Sequence, residues 1–199
     1  EMTWSPTVLW QMVVLMVILT PIAWLFVWFT KKASVHRVKN KGILITLPLA
    51  FFFLACLATY QPHLLGNGRM MAQETLNGAT WQIILLLFIL KALVVLVTFW
   101  AGAYGGTLTP SFALGMAGAT LISLALGVGN TPAFLLLGSV IFLTVTLKAP
   151  LSATGLVLGF TGQGVDALPY LLLTAILTYC LTQRLDRLMG RKRKESPSR

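Results

Sequence analysis

The run Ala101-Gly102-Ala103-Tyr104-Gly105-Gly106-Thr107-Leu108-Thr109-Pro110 carries the densest chemical signal in this 199-residue chain. Its glycines remove the side chains that would keep a ligand away from the backbone. Thr109 before Pro110 reads as an N-cap followed by the first residue of a helix. A helix start offers unpaired N–H groups and the positive end of the helix dipole. Together these make an anion site that needs no side-chain cation. The candidate anion-binding residues are therefore Gly105, Gly106, Thr107, Leu108, Thr109 and Pro110. Donors of this kind bind favourably but weakly, which is what conduction requires. The competing reading is that the glycines only make a tight turn and let helices pack closely.

Other residues carry weaker signals. Lys91 lies in an apolar stretch, where a charge is costly and often functional. It could raise the potential for anions, or it could snorkel or pair with another group. Lys148, just before Pro150, could anchor at the interface or attract anions. Gly155 and Gly159 form G-x-x-x-G, which suits close packing within a subunit or between two. Cys56 and Cys180 sit in apolar segments and are expected to be buried structural thiols. His36 and His63 lie in loops without a partner acid. The sequence shows no Ser-His-Asp arrangement, carboxylate pair, nucleotide loop or metal-ligand spacing. No catalytic residue, metal or cofactor is expected.

The elements that must position these residues are membrane helices. Hydrophobic residues make up 57% of the chain and charged residues 10%, against about 45–50% and about 25% in soluble domains. Disorder is excluded by this balance, and a soluble enzyme surface is disfavoured. The net charge of +10 is not a nucleic-acid footprint, because twelve of the fifteen Lys and Arg fall in two clusters. Lys31, Lys32, Arg37, Lys39 and Lys41 form the first. Arg184, Arg187, Arg191, Lys192, Arg193, Lys194 and Arg199 form the second. Basic loops bordering apolar runs follow the positive-inside pattern.

Apolar segments cover 7–30, Ile43–Tyr60, Trp81–Trp100, 110–127, Pro132–Leu147, 150–160 and 168–183. Six of them lie between the basic clusters, and an even number of crossings puts both clusters on the cytoplasmic side. Trp4 and Trp10 at one end of the first run, with Trp24 and Trp28 at the other, read as interfacial belts. Pro21 should kink that run. The segment 150–160 is too short to cross a bilayer, and 110–127 is marginal and interrupted by Gly115 and Gly118. Such segments are features of broken transporter helices. The sequence therefore predicts an all-α polytopic membrane protein with broken and re-entrant helices. A transmembrane part spans 1–186 and a basic cytoplasmic tail 187–199.

Gly106-Thr107-Leu108-Thr109-Pro110 resembles the G-x-F-x-P motif of the CLC family of chloride channels and proton-coupled chloride transporters. Lys148-Ala149-Pro150-Leu151-Ser152, followed by Leu156-Val157-Leu158, is similar to the basic-Ala-Pro-Leu stretch that opens a short helix in that family. Leu65-Gly66-Asn67-Gly68 is a third match, in order. The chain looks like the second inverted-repeat half of a CLC-type subunit. Leu108 stands where the family has Phe, and no Tyr lies beyond Tyr179 to close the inner side of the site. The first-half motifs G-S-G-I-P and G-R-E-G-P do not occur, and Glu74 does not replace their gating glutamate.

The resemblance implies transport of chloride or another small anion, by a channel or a proton-coupled antiporter, with backbone amides binding the anion. It implies a homodimer packed through helices that include Gly155 and Gly159. It further implies an N-terminal half, with roughly 200 residues expected before Glu1 by the repeat logic. Either a piece of a longer chain or one product of a split protein fits. The expected setting is a bacterial inner membrane, with the bilayer as partner and no nucleic acid. A non-transporting membrane scaffold or a degenerate CLC relative is the alternative.

Overall fold

A computed structural model describes residues 7–60, 77, 80–103, 106–127 and 132–195. Gly105 and the match at 65–68 lie outside the described residues, as do Tyr104, His63 and Glu74. The described residues form helices α1 (Thr7–Val35), α2 (Ile43–Tyr60), α3 (Trp81–Trp100), α4 (Leu108–Leu126), α5 (Pro132–Leu147), α6 (Pro150–Thr161) and α7 (Leu168–Glu195). Short 3-10 turns at Asn40–Gly42 and Val165–Ala167 precede α2 and α7. No strand occurs among the described residues. The protein is an all-α polytopic membrane protein.

Among the described residues, five helices are long and apolar enough to cross a membrane: α1, α2, α3, α4 and the stretch Val165–Met189, which takes in most of α7. The marginal segment at 110–127 is one of them, because its helix starts earlier, at Leu108. The short ones are α5, with 16 residues, and α6, with 12. At about 1.5 Å per residue, α6 rises roughly 18 Å, well short of a hydrocarbon core of about 30 Å. Pro21 lies inside α1, which runs through it to Val35 and carries Lys31 and Lys32 on its end. Likewise α7 continues past position 187 to Glu195.

The short helix α5 is the centre of the bundle. Every residue from Ala133 to Val145 is buried, and α1, α4, α6 and α7 all pack around it. A helix buried on all sides need not be long enough to meet water at both ends. Close approach to α4 comes from small residues, the usual means in lipid, where apolar surface gains little by burial. A Cβ on Gly138 would lie 2.4 Å from the Gly115 carbonyl oxygen and 2.5 Å from Ala119 Cβ. A Cβ on Gly115 would lie 2.5 Å from the Gly138 carbonyl oxygen. The two backbones touch there.

Several buried hydroxyls turn back on their own helices. Thr120 donates to Met116 O at 3.0 Å and Thr144 to Val140 O at 2.6 Å. Ser139 donates toward Phe112 O across the α4–α5 crossing at 3.3 Å.

Cys56 and Cys180 are exposed, not buried. An apolar sequence cannot separate a lipid-facing position from a core position, because both surroundings are apolar. By contrast, α2 is almost wholly peripheral. Its one buried residue is Ala58, and its start is pinned by Thr46, which donates to Ala101 O at 3.0 Å.

Both basic clusters reach the same end of the bundle. Lys31 from the first lines a cavity of about 60 Å³ with Lys148, Thr182 and Asp186, beside Arg184 and Arg187 of the second. Since Lys148 precedes α6 and Asp186 is near the end of α7, α6 leads away from this end and α7 leads back.

Candidate functional site

The glycine-rich connection between α3 and α4 is fixed at both ends. On the α3 side, Ala103 N–H donates to Thr98 O at 3.1 Å and Ala101 N–H to Val97 O at 2.8 Å. Gly102 has φ 107°, a left-handed conformation that disfavours any side chain. A Cβ there would also lie 3.0 Å from Ile43 and 3.1 Å from Val38 O. Gly102 is thus a turn-and-packing glycine.

Gly106 is different. Its φ lies outside the left-handed region, and a Cβ built on it meets nothing within 4 Å. Neither strain nor packing within the described residues accounts for a glycine there. It is exposed, whereas Thr107, Leu108, Thr109 and Pro110 are half-buried.

The helix start expected at Pro110 lies two residues earlier. Thr107 is the N-cap, with φ −89° and ψ 0°, and α4 begins at Leu108. Thr109 is therefore inside the first turn, not the cap. Pro110 fits because first-turn N–H groups have no partner in the helix, so a missing one costs nothing at the third position either. No side-chain cap bond is made by Thr107. The first turn thus presents the backbone N–H groups of Leu108 and Thr109, without a capping side chain, next to the open space at Gly106. Four residues after the cap, the ladder begins with Ser111 N–H donating to Thr107 O at 2.9 Å.

This start is held to α5 by hydroxyls. Thr146 donates to Phe142 O at 2.9 Å. Its proton being used, Ser111 Oγ–H donates to Thr146 Oγ1, at 3.0 Å. Ser111 is fully buried. The Phe112 ring packs edge-on against Phe160 of α6, with centroids 5.5 Å apart. Sequence reading missed Ser111 and Thr146, since nothing local marks a hydroxyl pair 35 residues apart.

The two candidate pathway lysines are not brought into one cluster with this loop. Lys91 belongs to the buried stripe Ile84, Leu87, Lys91 and Val95 of α3. It stands nine residues before Trp100, an axial distance of about 13 Å. Lys148 occupies the break between α5 and α6, in the left-handed region at φ 55°. Its ammonium pairs with Asp186 of α7, whose other oxygen accepts the Trp24 indole N–H at 2.9 Å. Three elements meet there, α1, the α5–α6 break and α7. Trp24, read from the sequence as belt, is thus a partner of Asp186. The signal available for Asp186 was its being the one acid inside the basic run from 184 to 194.

The pair is partly exposed, at 40% and 34% for the two side chains. Asp186→Asn should therefore cost no more than about 1 kcal/mol of stability. Thermal unfolding of the purified protein in detergent measures this, and a loss several times larger would mean the pair is screened from solvent.

Gly155 and Gly159 are exposed, with nothing within 4 Å of a built Cβ at either. They lie on the face of α6 opposite the buried Ala153, Thr154 and Val157. Close packing within the described residues does not use them.

A family model described as voltage gated chloride channel matches residues 1–183. The voltage-gated ClC-type chloride channel ClcB of Escherichia coli strain SMS-3-5 is 28% identical over 148 residues, 71% of this chain. ClcB of strains UMN026 and K12 DH10B matches with the same identity and coverage. The matched stretch covers 35% of each relative's length. A match running through nearly every helix described above settles the family: this chain belongs to the voltage-gated chloride channel, or CLC, family.

Proposed function

We propose that this chain is the second half of a chloride channel or proton-coupled chloride antiporter, and that it holds the anion at the start of α4. The backbone N–H groups of Leu108 and Thr109 donate to a partly dehydrated anion, with Gly106 leaving the approach clear and Pro110 fixing the first turn. The observation that carries this reading is the uncapped α4 terminus beside Gly106, where a Cβ would meet nothing within 4 Å among the described residues. An oriented dipole and neutral donors attract an anion without a tight ion pair, so the ion can leave again. The local pairing of Lys148 with Asp186 supports a pathway that does not rely on that cation.

In this reading an N-terminal half of the same subunit completes the pathway, and the α6 face bearing Gly155 and Gly159 meets its equivalent in a homodimer. The end carrying both basic clusters faces the cytoplasm of a bacterial inner membrane, by the positive-inside rule. The test is chloride efflux from liposomes containing the full-length protein. Efflux well above that of protein-free liposomes is expected, with folded protein verified in the same preparation. No excess efflux in that preparation overturns the reading.

A further inference from the structure

The C-terminal turns of α1 and α3 flank an open groove of about 430 Å³, within the size range of small-ligand sites, about 300–1,000 Å³. Phe29, Leu96, Val97 and Trp100 give it apolar walls, and Lys32 and His36 stand at it as the polar groups. We propose that this groove binds an anionic phospholipid, with acyl chain on the apolar walls and phosphate at Lys32 and His36.

Three observations point to that occupant. First, the groove lies at helix ends, where membrane-length helices are expected to meet an interface. It is built from the last turns of two membrane-length helices, at the end that carries both basic clusters. Basic pockets between membrane helices are suited to anionic headgroups.

Second, the sequence around the groove is basic and lacks acids. Residues 31–41 include Lys31, Lys32, Lys39 and Lys41 but no Asp or Glu, and Trp81–Trp100 contains none either. Asp186 is engaged by Lys148 and Trp24.

Third, the groove is preformed. Val38 N–H donates to Trp100 O at 2.9 Å, tying the exit of α1 to the end of α3. The Lys32 ammonium lies 5.1 Å from the Trp28 ring centroid. His36 Nδ1–H donates to Lys32 O at 3.0 Å, which ties the imidazole to the last turn of α1. A charged headgroup with an apolar tail matches both halves of this lining, whereas a free phosphate matches only one.

The experiment is fluorescence quenching of the full-length protein in phosphatidylcholine vesicles containing either brominated phosphatidylglycerol or brominated phosphatidylcholine. The Trp100 component is the difference between the wild type and Trp100→Phe. Quenching by the anionic probe should need about five-fold less lipid than quenching by the zwitterionic probe, the preference expected of one basic residue near the surface. Lys32→Gln with His36→Gln, both exposed positions, should remove that preference and leave the protein folded. Inorganic phosphate at millimolar concentration should not displace the anionic probe. Equal quenching by both probes in the wild type would overturn the proposal, as would a preference that survives the double substitution. Absence of quenching by either probe would mean that protein, such as the rest of the subunit, fills the groove. Displacement by phosphate would assign the site to the free ion. None of these readouts depends on chloride transport.

Discussion

Gly106→Leu should lower chloride efflux by the full-length protein by about 10- to 100-fold, the loss expected when one or two hydrogen bonds to a charged group are removed. It should do so without unfolding the protein. Among the described residues a Cβ at position 106 meets nothing within 4 Å, and the backbone there is not left-handed, so the larger side chain clashes with none of them at its Cβ. That position adjoins the first-turn N–H groups of α4. Thr109→Ala, by contrast, should change efflux less than about two-fold, because the cap position is Thr107 and the substitution keeps the Thr109 backbone N–H. A chloride electrode on the same liposomes reads both. If Gly106→Leu conducts like the wild type, the amide cradle is in the wrong place.

Gly138→Leu should have the opposite profile, with loss of folded protein and no separable effect on transport. The added Cβ would fall 2.4 Å from the Gly115 carbonyl oxygen and 2.5 Å from Ala119 Cβ. Neither is the movable end of a flexible side chain, so α4 and α5 must separate. The cost is about 3 kcal/mol, the upper end of the overpacking range, against a total stability of only about 5–15 kcal/mol for a typical fold. Because α5 contacts α1, α4, α6 and α7, its displacement spreads through the bundle. Size-exclusion profiles and melting in detergent measure this. A Gly138→Leu protein that melts like the wild type would contradict the backbone contact. Gly106→Leu serves as the control, since a Cβ there meets nothing within 4 Å among the described residues.

The sequence made most helix positions plain, because uninterrupted apolar runs have few alternatives in lipid. Ile43–Tyr60, Trp81–Trp100 and Pro132–Leu147 begin and end where hydropathy places them. The start of α4 was misplaced because proline is tolerated anywhere in the first turn, so Thr109-Pro110 did not specify the first position. Nor did hydropathy reveal that α5, not α4, is the short buried centre. A helix walled by protein and one walled by lipid are equally apolar, which also explains why Cys56 and Cys180 were expected inside. Long-range pairs were the least legible. Lys148 with Asp186, Ser111 with Thr146 and Gly115 with Gly138 become partners only once the helices cross.

For the candidate site, the chemistry was legible in its residue types and the geometry was not. Glycines before a helix start are recognisable from sequence alone. That Gly102 serves the turn while Gly106 opens space follows only from their φ values and neighbours.

The central claim is that neutral backbone donors at the start of α4 hold the anion. Crystals of the full-length protein soaked in bromide, measured at the bromine absorption edge, test it most directly. The account predicts an anomalous peak within hydrogen-bonding distance of the Leu108 and Thr109 amide nitrogens, absent in Gly106→Leu. A peak at Lys91 or Lys148 instead, with none at the α4 terminus, would contradict it.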